Sequence, residues 1–358
     1  MDLSHILNSK KIKLSFFLAV LSVLFVGKAF AFQENPGHEK AGDKKESFDP
    51  SVAILEHIAD SHYWHLWGET AFPLPVILYT NKGFETFSSA NFGHGHEVYK
   101  GKYYTYALEK DKVKAVDPSG KVDEAASKKV YDFSITKNVV ALWIACVLLL
   151  VLFFAVASSY KKRVGKAPKG FQSFIEPVIV FVRDDIARPN IGYKYERFMP
   201  LLLTIFFFIL INNLIGLVPF FPGGANVTGN IAVTFVLAVI TMVVVNVNGN
   251  KYYWKHIFAP DVPFWLYPIM WPVELVGILS RPFALMIRLF ANITAGHIIV
   301  LSLISLIFVF KSIAVAPVSI AFVVFMDVLE LLVALLQAFV FTLLTALFIG
   351  TATEEHHH

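Results

Sequence analysis

Apolar residues run along this chain in long, nearly unbroken blocks, with polar residues collected between them. The first block, "LSFFLAVLSVLFVG", is short. It follows Lys10, Lys11 and Lys13 and leads into "KAFAF", where Ala29 and Ala31 give the small-residue spacing of a cleavage site. That combination reads as a secretion signal over residues 1–31, and an uncleaved first membrane helix is the other reading of the same residues. Residues 32–132 break the pattern. They are polar, glycine-dotted and mixed in charge, as expected of a small exported N-terminal segment. From about 133 to 358 the blocks dominate, and this part is expected to be the membrane domain.

Each block predicts its own element. "NVVALWIACVLLLVLFFAVAS", residues 138–158, is long enough to span a bilayer. It is followed by Lys161, Lys162, Arg163, Lys166 and Lys169, which the positive-inside tendency places in the cytoplasm and which therefore leaves the N-terminal segment outside. "FQSFIEPVIVFVRDDIA" alternates apolar and charged residues at helical spacing, so it predicts an amphipathic helix along the cytoplasmic membrane face. Further spans are expected near 198–218 and 230–247, joined by a turn without lysine or arginine. The loop "NGNKYYWKH" then returns to the cytoplasm.

Two final runs, 264–310 and 313–350, are too long for one upright span. As helices of roughly 35 to 45 residues they would measure about 55–65 Å, against a hydrocarbon core of about 30 Å. Folding back inside lipid would strand backbone groups without partners. The expectation is therefore two long, strongly tilted helices joined by a tight turn near Lys311, with Pro268, Pro272 and Pro282 bending the first. The fold class that follows is an all-α membrane protein. It has about five membrane-embedded helices plus one surface amphipathic helix, and a small exported N-terminal domain precedes them.

Composition agrees with the pattern. Of 358 residues 56% are hydrophobic and only 16% charged, where soluble domains carry about 25% charged residues. A net charge of +4 is loop charge that sets topology and gives no basis for binding nucleic acid. The single cysteine, Cys146, lies in an apolar run and offers neither a disulfide nor a thiolate site. Histidines gather in the exported segment, at His57, His62 and His65 and at His94 and His96. Metal ligation is one reading. An amphipathic surface helix and a turn, with Trp64 and Trp67 at the lipid interface, is the preferred one, because no tight ligand spacing supports a metal.

Polar residues inside the apolar blocks are the candidates for chemistry, since intramembrane charges are costly and rare. Glu274, Arg281 and Arg288 are each seven residues apart, so on a helix they share one stripe, and Asn292 falls on the same face. His297 points roughly the other way. In the last run Glu330 and Gln337 again lie seven apart, near Asp327. Arginine keeps its proton at any accessible pH, so Arg288 can only be a fixed positive charge. His297 and Glu330 can titrate near neutrality and are the proton handlers. Gln337 both donates and accepts without adding charge. Arg288 pairing with a carboxylate to hold the bundle together is the competing reading. For Asn212, Asn213 and Asn230 interhelical hydrogen bonding is preferred over transport.

The run "RPFALMIRLFANITAGH" closely resembles the signature of subunit a of the F-type ATP synthase. The family pattern R-L-x-x-N-x-x-A-G is matched by Arg288, Leu289, Asn292, Ala295 and Gly296. "LLQAFVFTLLTALFIGTATEEH" and "PLLLTIFFFILINNLIGLVP" resemble the family's last helix and second span. The likeness covers about residues 133–355 and says little of 32–132. It implies that Arg288 faces a rotating ring of c subunits, with Gln337 near it. His297 and Glu330 would be the imidazole and acid of the proton path, exchanged as a pair relative to some bacterial members. Glu274 and Asn292 match polar channel positions, and Asn213 and Asn230 are supporting polar residues. Two departures stand out, Gly216 at a frequently acidic position and Ala232 at an asparagine position. The resemblance further implies two half-channels, b subunits of the peripheral stalk and the remaining synthase subunits as partners, a bacterial inner membrane location, no cofactor and no metal. The subunit alone is expected to hydrolyse nothing. A secondary transporter would usually show inverted repeats, and a haem anchor would need more than His297 deep in a span. Neither pattern is present.

Overall fold

The computed structural model describes residues 50, 51, 54, 58–67, 70–95, 97–109, 111–117, 120–162, 167–218, 224–258, 263–310 and 315–354. The expected signal at 1–31, His57, His96 and the turn near Lys311 lie outside the described residues, as do the side chains of His65, Trp67 and His94. The chain divides into two compact units, and each is described by itself. One takes the described residues up to Ile144 with those of Ile215–Val227 and Gly296–Glu330. The other takes Ala145–Leu214, Thr228–Ala295 and the residues from Leu331 onward.

In the first unit the described residues of the polar segment form eight short strands. These are β1 (Tyr63–Trp67), β2 (Thr70–Pro73), β3 (Pro75–Thr80), β4 (Gly83–Ser88), β5 (Tyr99–Lys100), β6 (Thr105–Glu109), β7 (Lys112–Val116) and β8 (Val130–Asp132). They form antiparallel sheets in the orders β1-β2, β4-β3-β8 and β5-β6-β7, and a one-turn helix α1 (Glu124–Ser127) precedes β8. Val76 and Leu78 alternate inward along β3 and meet Phe92, Tyr106 and Val113 in a small core. The expectation of an amphipathic helix around Trp64 is corrected here. "YWHLW" is a strand and Trp64 is only 4% exposed. Aromatic residues favour a pleated, half-buried surface, and pairing with β2 overrides the helical periodicity read from the sequence.

This β unit is joined to the first long helix, α2 (Lys137–Lys162), by polar contacts. Asp60 accepts from the Thr136 hydroxyl at 2.7 Å and from the Asn138 N–H at 3.2 Å, while the Lys137 N–H donates to the Ser61 carbonyl at 2.9 Å. A carboxylate over the first turn of a helix satisfies orphan N–H groups and complements the helix dipole. Nearby, buried His62 lies 3.2 Å from Asp132. Burial pushes the Asp132 carboxyl up, but the hydrogen bonds from His62 and Ser134 outweigh it and hold the group below the usual carboxylate range. In the same unit Ile54 and Ile58 pack against Val300, Leu301, Ile304, Val323 and Met326.

The second unit is helical. α3 (Phe171–Phe181), a π-helical turn at Val182–Ala187, α4 (Arg188–Ile191), a 3-10 turn at Gly192–Lys194 and α5 (Tyr195–Leu217) follow one another closely. The sequence reading separated a surface helix from a span here, and the break falls at Gly192, whose φ of 71° only glycine adopts readily. α6 (Ile231–Val247) has 17 residues, about 25 Å, and the chain then turns through 102° into the short helix α7 (Lys251–Phe258). α8 (Tyr267–Phe310) and α9 (Ala316–Thr353) have 44 and 38 residues. Each is one continuous helix with no fold-back, so most of its backbone groups are paired within the helix. Leu202, Ile205, Phe206, Leu285, Leu289, Ala338, Phe341 and Ile349 fill the core of this unit. Among the described residues, four helical stretches are long and apolar enough to cross a membrane, or five with α6 and α7 counted together.

Two outcomes test these contacts. A Cβ on Gly350 would sit 1.9 Å from the Asn190 carbonyl oxygen, a backbone atom with little room to yield. Gly350→Ala is therefore expected to destabilise the helical unit by about 1–3 kcal/mol, read as a lower melting temperature of the purified protein in detergent. The carboxyl of Asp132 has a lowered folded-state pKa, so its contribution is present above the unfolded value of roughly 4 and is lost as pH falls through the folded one. Hydrogen exchange in β3 and β8 should accelerate on acidification below that point, and Asp132→Asn should remove this acid dependence.

Candidate functional site

Polar residues of α8 and α9 meet within each unit. In the helical unit the Asn292 side-chain amide donates to Gln337 Oε1 at 2.8 Å. Gln337 is 2% exposed, and among the described residues its Nε2 finds no hydrogen-bond partner. In the other unit His297 Nδ1 lies 3.5 Å from Glu330 Oε1, with the side chains only 14% and 8% exposed. The seven-residue spacing of Glu330 and Gln337 thus turns both toward polar residues of α8. Gly296 makes the closer contact possible, because a Cβ there would lie 2.6 Å from Glu330 Oε1 and 3.1 Å from its Cγ. Gly216 adjoins the same pair. A Cβ added to it would be 3.9 Å from His297 Nε2, so a side chain at 216 would address the imidazole directly.

Arg288 is in a different situation. It is exposed, and among the described residues no hydrogen bond or ion pair reaches it. Ala284, Ala291 and Ala295, four residues before it and three and seven after, are exposed on the same face. In that unit Ile287, Leu332, Leu335 and Leu336 add exposed apolar surface. An arginine presented to hydrocarbon costs about 2.5–3.5 kcal/mol at the helix centre. Small residues around it let another helix approach closely.

Glu274 and Arg281 line a cavity of about 260 Å³ together with Tyr252, Tyr253, His256, Thr351 and Glu354. Glu274 Oε1 is 3.6 Å from His256 Nδ1, and the Arg281 guanidinium stacks 5.6 Å from the Phe348 ring centre. A second, smaller cavity of about 20 Å³ shares Tyr253, Ile278 and Arg281 and reaches Leu285, one turn before Arg288. The sequence did not single out His256, Tyr253 or Thr351 for this site, since nothing in their local pattern links them to Glu274. Glu354 is exposed and also lines the cavity, because the Asn250 N–H bonds the Ala352 carbonyl and holds the end of α9 beside α7.

The asparagines take structural positions. Asn213 is buried, donates to the Ala334 carbonyl at 3.3 Å and accepts from Thr228 at 2.7 Å, linking α5 to α9. Asn212 bonds the Phe208 carbonyl of its own helix. Among the described residues Asn230 makes no interhelical bond of the kind expected. Its side chain accepts from the Ala232 N–H at 2.9 Å and caps α6, where an asparagine is among the best residues for satisfying a first-turn N–H.

Residues 139–350 match the family described as ATP synthase A chain, more than half of the chain. The chain belongs to this family. Subunit a of the ATP synthase of Chloroherpeton thalassium is 50% identical over 233 residues, 64% of this chain and 69% of that protein. Its counterpart in Pelodictyon phaeoclathratiforme is 44% identical over 278 residues, 75% and 80% of the two chains. In Myxococcus xanthus the figures are 44% over 234 residues, 63% and 75%. Residues 53–133 match a separate family, described as a domain of unknown function (DUF8433). The family makes the chain a membrane component of the proton-translocating sector of the ATP synthase, with no enzymatic activity of its own.

Gly296→Ala offers a direct test of the His297 and Glu330 pairing. The added methyl displaces the Glu330 carboxylate, the flexible partner in the contact, so the helices should still assemble. On the proton-path reading proposed below, passive proton conduction through the membrane sector is expected to fall about ten- to a hundredfold, the cost of misplacing a group by about 1 Å.

Proposed function

We propose that the chain is the fixed wall of a proton path, with Arg288 facing the ring of c subunits and coupling proton flow to its rotation. The observation that carries this reading is the exposed, unpaired guanidinium on a face of small and apolar residues. Such a charge needs an anion from another chain, and a carboxylate on a passing c subunit has the right sign. The arginine would stabilise that carboxylate when ionised and block direct passage of protons along the wall. Gln337, with a spare buried donor beside Asn292, would hydrogen-bond the same carboxylate or the water around it.

Two half-paths follow from the polar pairs. His297 and Glu330 supply an imidazole and an acid for the outer one. Glu274 and Arg281 line the inner one, whose two cavities lead along α8 toward Arg288. Lys161 and Lys162 at the end of α2 favour the inner side for that end. The N-terminal segment, residues 32–132, is then outside the bacterial inner membrane after removal of residues 1–31, the membrane domain is 133–358, and the C-terminus is cytoplasmic. Its partners are the c ring, the b subunits of the peripheral stalk, the remaining synthase subunits and lipid. A secondary transporter has no comparable support, since the unpaired charge faces outward and not into an enclosed site.

Arg288→Ala in the assembled complex provides the test. ATP-driven acidification of vesicles is expected to fall about a hundredfold or more, the scale of removing one preorganised charge. Passive leak through the membrane sector after removal of the catalytic head should rise. Undiminished pumping would overturn the reading.

A further inference from the structure

The cavity beside Glu274 holds one titratable group that the proposed path does not use. We propose that His256 exchanges protons between the inner-side water and Glu274. The inference rests on reading this cavity as the inner end of the path.

Placement is the first argument. His256 sits near the end of α7, and several contacts fix that short helix over the start of α8. The Tyr253 N–H donates to Asn250 Oδ1 at 2.8 Å, the Asn250 N–H donates to the Ala352 carbonyl at 2.9 Å, and the Trp271 indole donates to the Phe258 carbonyl at 3.0 Å. The imidazole is 69% exposed while Glu274 is 20% exposed, so one group meets water and the other lies inside. Their 3.6 Å separation closes to a hydrogen bond with a shift of about half an ångström, and such contacts are often long before a proton moves.

Charge is the second. The groups that face the imidazole are Glu274 and Arg281 from α8, Thr351 and Glu354 from the end of α9, and Tyr252 and Tyr253 from its own helix. Two carboxylates and one guanidinium leave the cavity net negative, and a protonated imidazole neutralises it. An imidazole can accept a proton at one ring nitrogen and release one from the other, which suits a relay between an inner carboxylate and water.

Proton exit then has two steps. The O–H bond of protonated Glu274 breaks as an Nδ1–H bond forms, leaving a carboxylate and an imidazolium. The Nε2–H bond then breaks and that proton passes to bulk water. The exposed ring resets to the Nε2–H tautomer by exchange with water, and entry runs in reverse.

The experiment uses the assembled complex in vesicles, with the catalytic head stripped from outward-facing membrane sectors. Passive proton conduction is recorded against external pH for wild type, His256→Ala, His256→Gln and Glu274→Gln. Wild-type conduction should change with external pH through a single midpoint. Both His256 variants should conduct about tenfold less and lose that midpoint, and added imidazole should restore conduction to His256→Ala several-fold. Wild-type rate and profile in both His256 variants would overturn the proposal. So would a slowed His256→Ala that keeps the midpoint and ignores imidazole, since the residue would then only position α7. Glu274→Gln separates the two levels. A slow Glu274→Gln beside unaffected His256 variants removes the His256 role alone. A Glu274→Gln that conducts like wild type removes the inner path and this inference together.

Discussion

Hydrocarbon cannot solvate charge, and nearly every polar residue in the helical part of this chain is placed in answer to that constraint. Asn213 and Thr228 satisfy each other, and the spare donors of Asn213 and Asn212 go to backbone carbonyls. Thr342, Thr345 and Thr353 return their hydroxyls to their own helix. Asn292 and Gln337 pair, and His297 lies against Glu330. Arg288 alone among the candidate residues is exposed without a partner among the described residues. A charge left in that state is costly in the isolated chain, and an anion brought by a partner would relieve it, which is why the proposed function turns on this residue.

Close packing is what allows polar groups to meet at all between two long apolar helices. Gly296 shows how. Its missing side chain leaves the space that the Glu330 carboxylate occupies, one residue before the imidazole it faces. Gly350 does the same at the other end of the pair, where α9 runs against the backbone of Asn190. Both glycines are helical and neither needs an unusual backbone. They are required for proximity, and larger residues at either position would separate groups whose usefulness depends on distances of 3 to 4 Å.

The β unit shows a different balance. Its strands are short and its core is small, so its contacts with the helices matter to its stability. Asp60 over the first turn of α2, Ser61 on the Lys137 N–H and the His62–Asp132 contact tie the unit to the start of that helix. Ile54 and Ile58 extend the attachment to apolar residues of α8 and α9. A separate family match over residues 53–133 fits a segment that folds on its own pattern.

Much of this was legible in the residues themselves. Block length alone required α8 and α9 to be long and continuous, because lipid leaves a backbone no other way to satisfy its hydrogen bonds. The family followed from the resemblance of the arginine run, with Arg288, Leu289, Asn292, Ala295 and Gly296, to a known signature. Sequence periodicity failed at Trp64, where the identity of the neighbouring strand decided between helix and sheet. It also missed His256 and Glu354, because Glu274 meets them only after α7 bends through 102° and the end of α9 docks beside it. The sequence by itself determined which residues carry charge in the oil, for that depends on local composition and the cost of burial. Which of those charges find partners was decided by tertiary structure alone, because pairing depends on contacts between residues tens of positions apart.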